Sequence, residues 1–97
     1  MIKLAFDPRM LHSNDELFAY LVYLGAQLKL QGEDDLARLV EYAARFNAGS
    51  QTEFLHESFV ALKSVERQTK SLAASELDNL SAVILQIESA FRAIGGA

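Results

Sequence analysis

The sequence predicts an all-α fold: a small up-and-down four-helix bundle, or paired helical hairpins, behind a short N-terminal extended arm or single helical turn. Three observations carry this. Apolar residues recur at steps of three and four along most of the chain. Most periodic segments open on a capping residue and close on glycine or a cation. The joins are only a few residues long, which makes consecutive helices antiparallel neighbours. With 97 residues, 51% of them hydrophobic, five glycines and one proline, the chain reads as a single helical domain over 1–97.

The arm covers residues 1–12. In "IKLAF" apolar and polar residues alternate weakly, and in "DPRML" Asp7 precedes Pro8 at a first helical position, enough for one turn. The first helix is placed at about 14–31, capped by Ser13 with Glu16 three residues on, and stopped by Gly32. The second is placed at about 33–47, with a stripe of Leu36, Leu39, Val40, Ala43 and Asn47 and Phe46 at its edge. Asp34→Arg38 and Glu41→Arg45 form i,i+4 pairs along it. The third, at about 51–70, has Ser50 and Glu53 as its capping box and an inner stripe of Phe54, Leu55, Ser58, Phe59, Leu62 and Val65. The fourth, at about 76–94, is capped by Ser75 with Asp78 and stopped by Gly95–Gly96. Leu77, Leu80, Ile84, Ile87, Phe91 and Ile94 form its knobs-into-holes seam.

Composition removes several functions. Without cysteine there is no disulfide, zinc–thiolate site or thiol nucleophile, and a reducing cytoplasm is the compartment that fits. "MIKLAFDPR" is too short and too broken by Asp7 and Pro8 for a secretory signal. The apolar run Leu17–Ala26 is half of the roughly 20 residues that a spanning helix needs. Net charge is −4, but most of the acids (Asp15, Glu16, Glu33, Asp34, Asp35, Glu53, Glu76, Asp78) fall in predicted first turns, where they stabilise exposed N–H groups. The acidity is helix punctuation and does not call for a cationic partner.

Glu53 and His56 have the Glu-x-x-His spacing of carboxylate-bridged metal sites, which makes a carboxylate/histidine metalloprotein one alternative. Such ligands must project inward. On the helical wheel both lie about 150° from the apolar centre of the third helix. Ser50-x-x-Glu53 also gives Glu53 a capping role. No cofactor or metal is therefore assigned. His12 with Asp15 and Glu16 is read as a surface turn beside first-turn charges. No serine is marked as a nucleophile by its turn, and no glycine-rich phosphate loop is present.

"AARFNAGSQTEFL" resembles a bacterial helix-turn-helix, which reads "AAR", four residues, then "SQ" opening the recognition helix. The resemblance covers about thirteen residues and implies a DNA-binding regulator. The sequence departs from the pattern at Asn47 and Gly49, where apolar residues would pack the turn. The leading end of the third helix carries Glu53 and Glu57, which repel phosphate, while Lys63, Arg67 and Lys70 lie at its other end.

The richest functional signal is in the first helix. Leu17, Leu21, Leu24 and Leu28 make a core stripe, and Phe18, Val22 and Gly25 make a second about 100° around. Tyr20, Tyr23 and Leu30 cover much of the remainder. A helix apolar nearly all round is buried all round, which one side of a small bundle does not achieve. Either the arm, through Ile2, Leu4 and Phe6, covers the second stripe, or a partner does, most simply a second copy on a two-fold axis. Leu85, about 130° from the seam of the fourth helix, and Val60 on the polar side of the third add to the surplus. The sequence is thus read as a non-catalytic protein-interaction module, homodimeric through the first helix, of adaptor, regulatory-subunit or toxin-neutralising type. Phe18, Val22, Gly25, Tyr23 and Leu85 are its candidate surface. A second candidate is the ridge His56, Lys63, Arg67 and Lys70, suited to an acidic partner. An enzyme subunit or small-ligand binder lined by Tyr20, Tyr23 and Phe18 is the remaining class.

Overall fold

The computed structural model describes residues 4–94. Four helices follow one another: α1 (Asn14–Leu30), α2 (Asp34–Ala44), α3 (Gln51–Gln68) and α4 (Ala74–Ala93). A 3-10 turn at Arg45–Ala48 leads from α2 toward α3. There is no strand among the described residues, and no helix is long and apolar enough to cross a membrane. The arm makes one hydrogen-bonded turn, in which the Asp7 carbonyl accepts from the Met10 N–H at 3.0 Å.

The helices alternate in direction. Leu17 near the start of α1, Leu55 near the start of α3, and Ile87 and Ala90 near the end of α4 line one cavity. At the opposite end, Glu33 before α2 meets the residues that follow α3. Tyr23, in the second half of α1, reaches Glu76 in the first turn of α4. This is an up-and-down bundle, measuring 37 × 23 × 23 Å.

Local chemistry sets the helix ends. Ser13 Oγ accepts from the Glu16 N–H at 3.2 Å, and Glu16 reaches back to the His12 N–H at 2.9 Å, one residue before the position a standard capping box would use. Ser50 Oγ accepts from the Glu53 N–H at 3.3 Å. Gly32 sits at φ +85°, a conformation that a side chain disfavours. Its N–H bonds to the Lys29 carbonyl and that of Glu33 to the Leu28 carbonyl, closing α1 with a Schellman motif. The start of α4 differs from the sequence reading. The cap position falls on Ala73, with no side-chain hydrogen bond, and Ser75 lies inside the first turn. Gly95 and Gly96, read as its stop, lie outside the described residues.

The core is continuous across all four helices. It contains Leu17, Tyr20, Leu21, Leu24 and Leu28 from α1 and Leu36, Ala37, Val40, Ala43 and Ala44 from α2. From α3 come Phe54, Leu55, Ala61, Leu62 and Val65, and from α4 Leu80, Val83, Ile84 and Ile87. Each fully buried leucine or isoleucine contributes about 1.5–3 kcal/mol of transfer free energy. Several assignments change: Ile94, placed in the seam of α4, is 44% exposed just past the helix end, and Val83, outside that seam, is fully buried. Leu39, placed in the stripe of α2, is 42% exposed, because α2 turns Ala37 and Ala44 inward instead. Tyr20 is fully buried and belongs to the core.

Candidate functional site

The close approach of α1 and α2 begins at Gly25. A Cβ built there would lie 3.4 Å from Glu41 Cγ and 3.9 Å from the Ala37 carbonyl oxygen, so the α2 backbone runs directly beside it. Ala37, Ala43 and Ala44 on α2 supply the small side chains that permit this spacing. Farther out, where the two helix surfaces diverge, they leave a shallow cleft of about 410 Å³. Phe18, Val22, Ala26 and Lys29 line it from α1, and Glu41, Ala44 and Arg45 from the α2 side. Its floor is apolar and its rim charged. Phe18 is 36% and Val22 45% exposed.

The described part of the arm lies elsewhere. Leu4, Phe6 and Leu11 pack against the core, and Gln86 of α4 holds the segment in place. Its side-chain oxygen accepts from the Leu11 N–H at 2.6 Å, and its amide nitrogen donates to the Pro8 carbonyl at 2.9 Å. The arm therefore lies along α4, and none of its described residues lines the cleft. Ile2, the third side chain considered as a cover, lies outside the described residues.

The candidate surface of α1 separates into three parts. Phe18 and Val22 share the cleft. Gly25 is buried within the fold, where it serves the α1–α2 contact and presents no surface. Tyr23 points to another side, half-buried, with its hydroxyl donating to Glu76 Oε2. Burial and the neighbouring Glu76 carboxylate push its phenol up to about 12. Tyr20, packed beside it with ring centroids 6.4 Å apart, is raised by burial and then by the Glu76 charge. Leu85 is 65% exposed on α4, away from the cleft, and Val60 is exposed on α3.

Sequence reasoning missed the outer side of α2. Leu39 and Tyr42 are both exposed there, and the Tyr42 ring meets Phe46 edge-on at 5.2 Å. The signal was present in the wheel, since Leu39 sits at the margin of the α2 stripe.

The basic ridge is only partly free. Lys63 pairs with Glu66 at 3.3 Å, and Glu66 also accepts from Ser81 of α4 at 3.0 Å. His56 sets its ring edge-on to Phe91, while Arg67 is exposed. Lys70 follows the end of α3, and its N–H bonds to Glu33 at 3.0 Å. That glutamate also accepts from the hydroxyls of Thr69 at 2.5 Å and Ser71 at 2.6 Å, so it ties the start of α2 to the α3–α4 connection.

Glu53 and His56 are both exposed. Glu53 folds back over the cap, with Oε1 3.8 Å from where a Gly49 Cβ would lie. Among the described residues, no group of three His, Asp or Glu side chains could hold a metal ion. Between the starts of α1 and α3 lies a second cavity of about 420 Å³, with Leu11, His12, Ser13, Asn14, Gln51 and Gln86 among its walls. Two of its polar side chains hold the fold: Ser13 caps α1, and Gln86 clamps the arm. In the segment resembling a helix-turn-helix, α2 and α3 are joined through the 3-10 turn, with Glu53 exposed at the leading end of α3. Comparison with protein-family models, with curated proteins and with solved structures finds no match.

Proposed function

We propose that the chain is a non-catalytic helical protein-interaction module, of adaptor, regulatory-subunit or toxin-neutralising type, whose contact surface is the α1–α2 cleft. The observation that carries the reading is the pairing of Phe18 and Val22, both well exposed, over an apolar floor that the described arm leaves open. Contiguous apolar surface with a polar rim is the usual mark of a protein contact. The cleft is shallow and its charged groups sit on the rim, whereas small-molecule sites gather polar groups inside an enclosing pocket. A helix or loop of a partner fits the space better than a metabolite does.

The test is substitution of the two apolar residues, Phe18→Glu and Val22→Glu, in variants shown by circular dichroism to keep their helices. Both are expected to abolish association of the chain with its protein partner, a second copy included. Folded variants that keep every protein contact of the wild type would refute the reading.

A further inference from the structure

Resting on that reading, we infer that the occupant of the cleft is a second copy of this chain, docked on a two-fold axis that exchanges Glu41 and Arg45 between protomers. The inference begins from register. Phe18 and Val22 are one turn apart on α1, about 6 Å along its axis, and Glu41 and Arg45 are one turn apart along α2. Both pairs line the same cleft, and the Glu41 side chain lies beside Gly25, less than one turn beyond Val22, so the two turns overlap in height. An axis crossing both helices at right angles can therefore pass between Phe18 and Val22 and, at the same height, between Glu41 and Arg45. Rotation about it sets Phe18 of one copy against Val22 of the partner subunit. It also sets Glu41 against Arg45 of the partner subunit, and each contact occurs twice.

The charges favour this occupant. Glu41 and Arg45 have the i,i+4 spacing of an internal ion pair, yet none of the ion pairs among the described residues involves either of them, or Lys29. Arg45 begins the 3-10 turn that follows α2. Both side chains are exposed at the rim and available to a neighbour. A rim bearing both signs is complementary to itself, whereas a uniformly acidic or basic partner would meet a like charge at Glu41 or at Arg45 and Lys29.

Sedimentation equilibrium of the full chain tests this with Glu41→Arg, Arg45→Glu and their equimolar mixture, all checked for helicity. Wild type is expected to dimerise. Each variant alone would face like charges across the axis twice, weakening the dimer by roughly tenfold or more. Mixing the two restores opposite charges at both contacts, so a heterodimer of near wild-type affinity is expected. Variants that dimerise as well as wild type, or a mixture no tighter than its components, would overturn the two-fold register. A wild type that stays monomeric throughout the micromolar range would overturn the second copy as occupant. The cleft reading would then stand or fall separately, on whether Val22→Glu abolishes binding to a different protein.

Discussion

The hydroxyl of Tyr23 on α1 donates to the Glu76 carboxylate in the first turn of α4, while Tyr20, one turn earlier on α1, buries its hydroxyl with no hydrogen-bond partner. The two phenols should answer removal of oxygen in opposite ways. Tyr23→Phe is expected to lose roughly 1–2 kcal/mol, the usual range for a hydrogen bond to a charged acceptor. Tyr20→Phe relieves an unmet desolvation and is expected to be neutral or stabilising by about 1 kcal/mol. Urea unfolding of the two variants checks the contrast.

Alkali should act through the same residues. Both phenols are raised in the folded chain, Tyr23 to about 12 from an ordinary value of 10.0, chiefly by burial. A raised value means that the folded state holds the proton more tightly, so the contribution is complete below pH 10 and is lost as pH rises through about 12. Stability measured against pH is expected to fall in that window, and less steeply in Tyr23→Phe.

Glu33 gives the converse at acid pH. Burial pushes its carboxyl up, but hydrogen bonds donated by Ser71, Thr69 and the N–H groups of Lys70 and Ser71 outweigh that and hold it below its usual 4.5. The ionised form is therefore preferred in the fold. Its contribution is present above pH 4.5 and disappears as pH drops through the lowered value. Glu33→Gln is expected to cost about 1–2 kcal/mol at neutral pH and to lessen the acid sensitivity, as read by denaturant midpoints across the acid range.

Among the described residues Ser58 is the one buried residue of polar type outside the apolar set, on α3 with its hydroxyl unpartnered. Ser58→Ala removes the oxygen with little change in volume. A gain of about 1 kcal/mol is expected in thermal or chemical unfolding.

Gly25 costs the interior of α1 some helix stability, and the space beside it admits a methyl group at ordinary contact distance from Glu41 Cγ, 3.4 Å away. Gly25→Ala is expected to stabilise by roughly 0.5–1 kcal/mol. Because Gly25 is buried inside the fold, self-association should be unchanged, which separates its role from that of Val22.

What could be read from the residues follows the range of the forces involved. Ser13, Ser50 and Gly32 mark helix ends because capping and positive φ are decided within a few residues. Ala73 offers no such signal, and the capping pattern points to Ser75 two residues later. The surplus of apolar surface on α1 was legible as a quantity. Its division was not: the wheel groups Phe18, Val22 and Gly25 and sets Tyr23 apart, but only the sides taken by α2 and α4 decide which of them are covered. Leu39 is exposed for the same reason, since small alanines set how closely α2 packs and therefore which edge of it faces water.

The central claim, that Phe18 and Val22 form a contact surface, is tested most directly by sedimentation equilibrium of wild type and Val22→Glu across the micromolar range. A wild-type dimer that the substitution converts to a folded monomer is the expected result. Identical molecular mass for the two proteins, together with identical binding to any other protein, would contradict it.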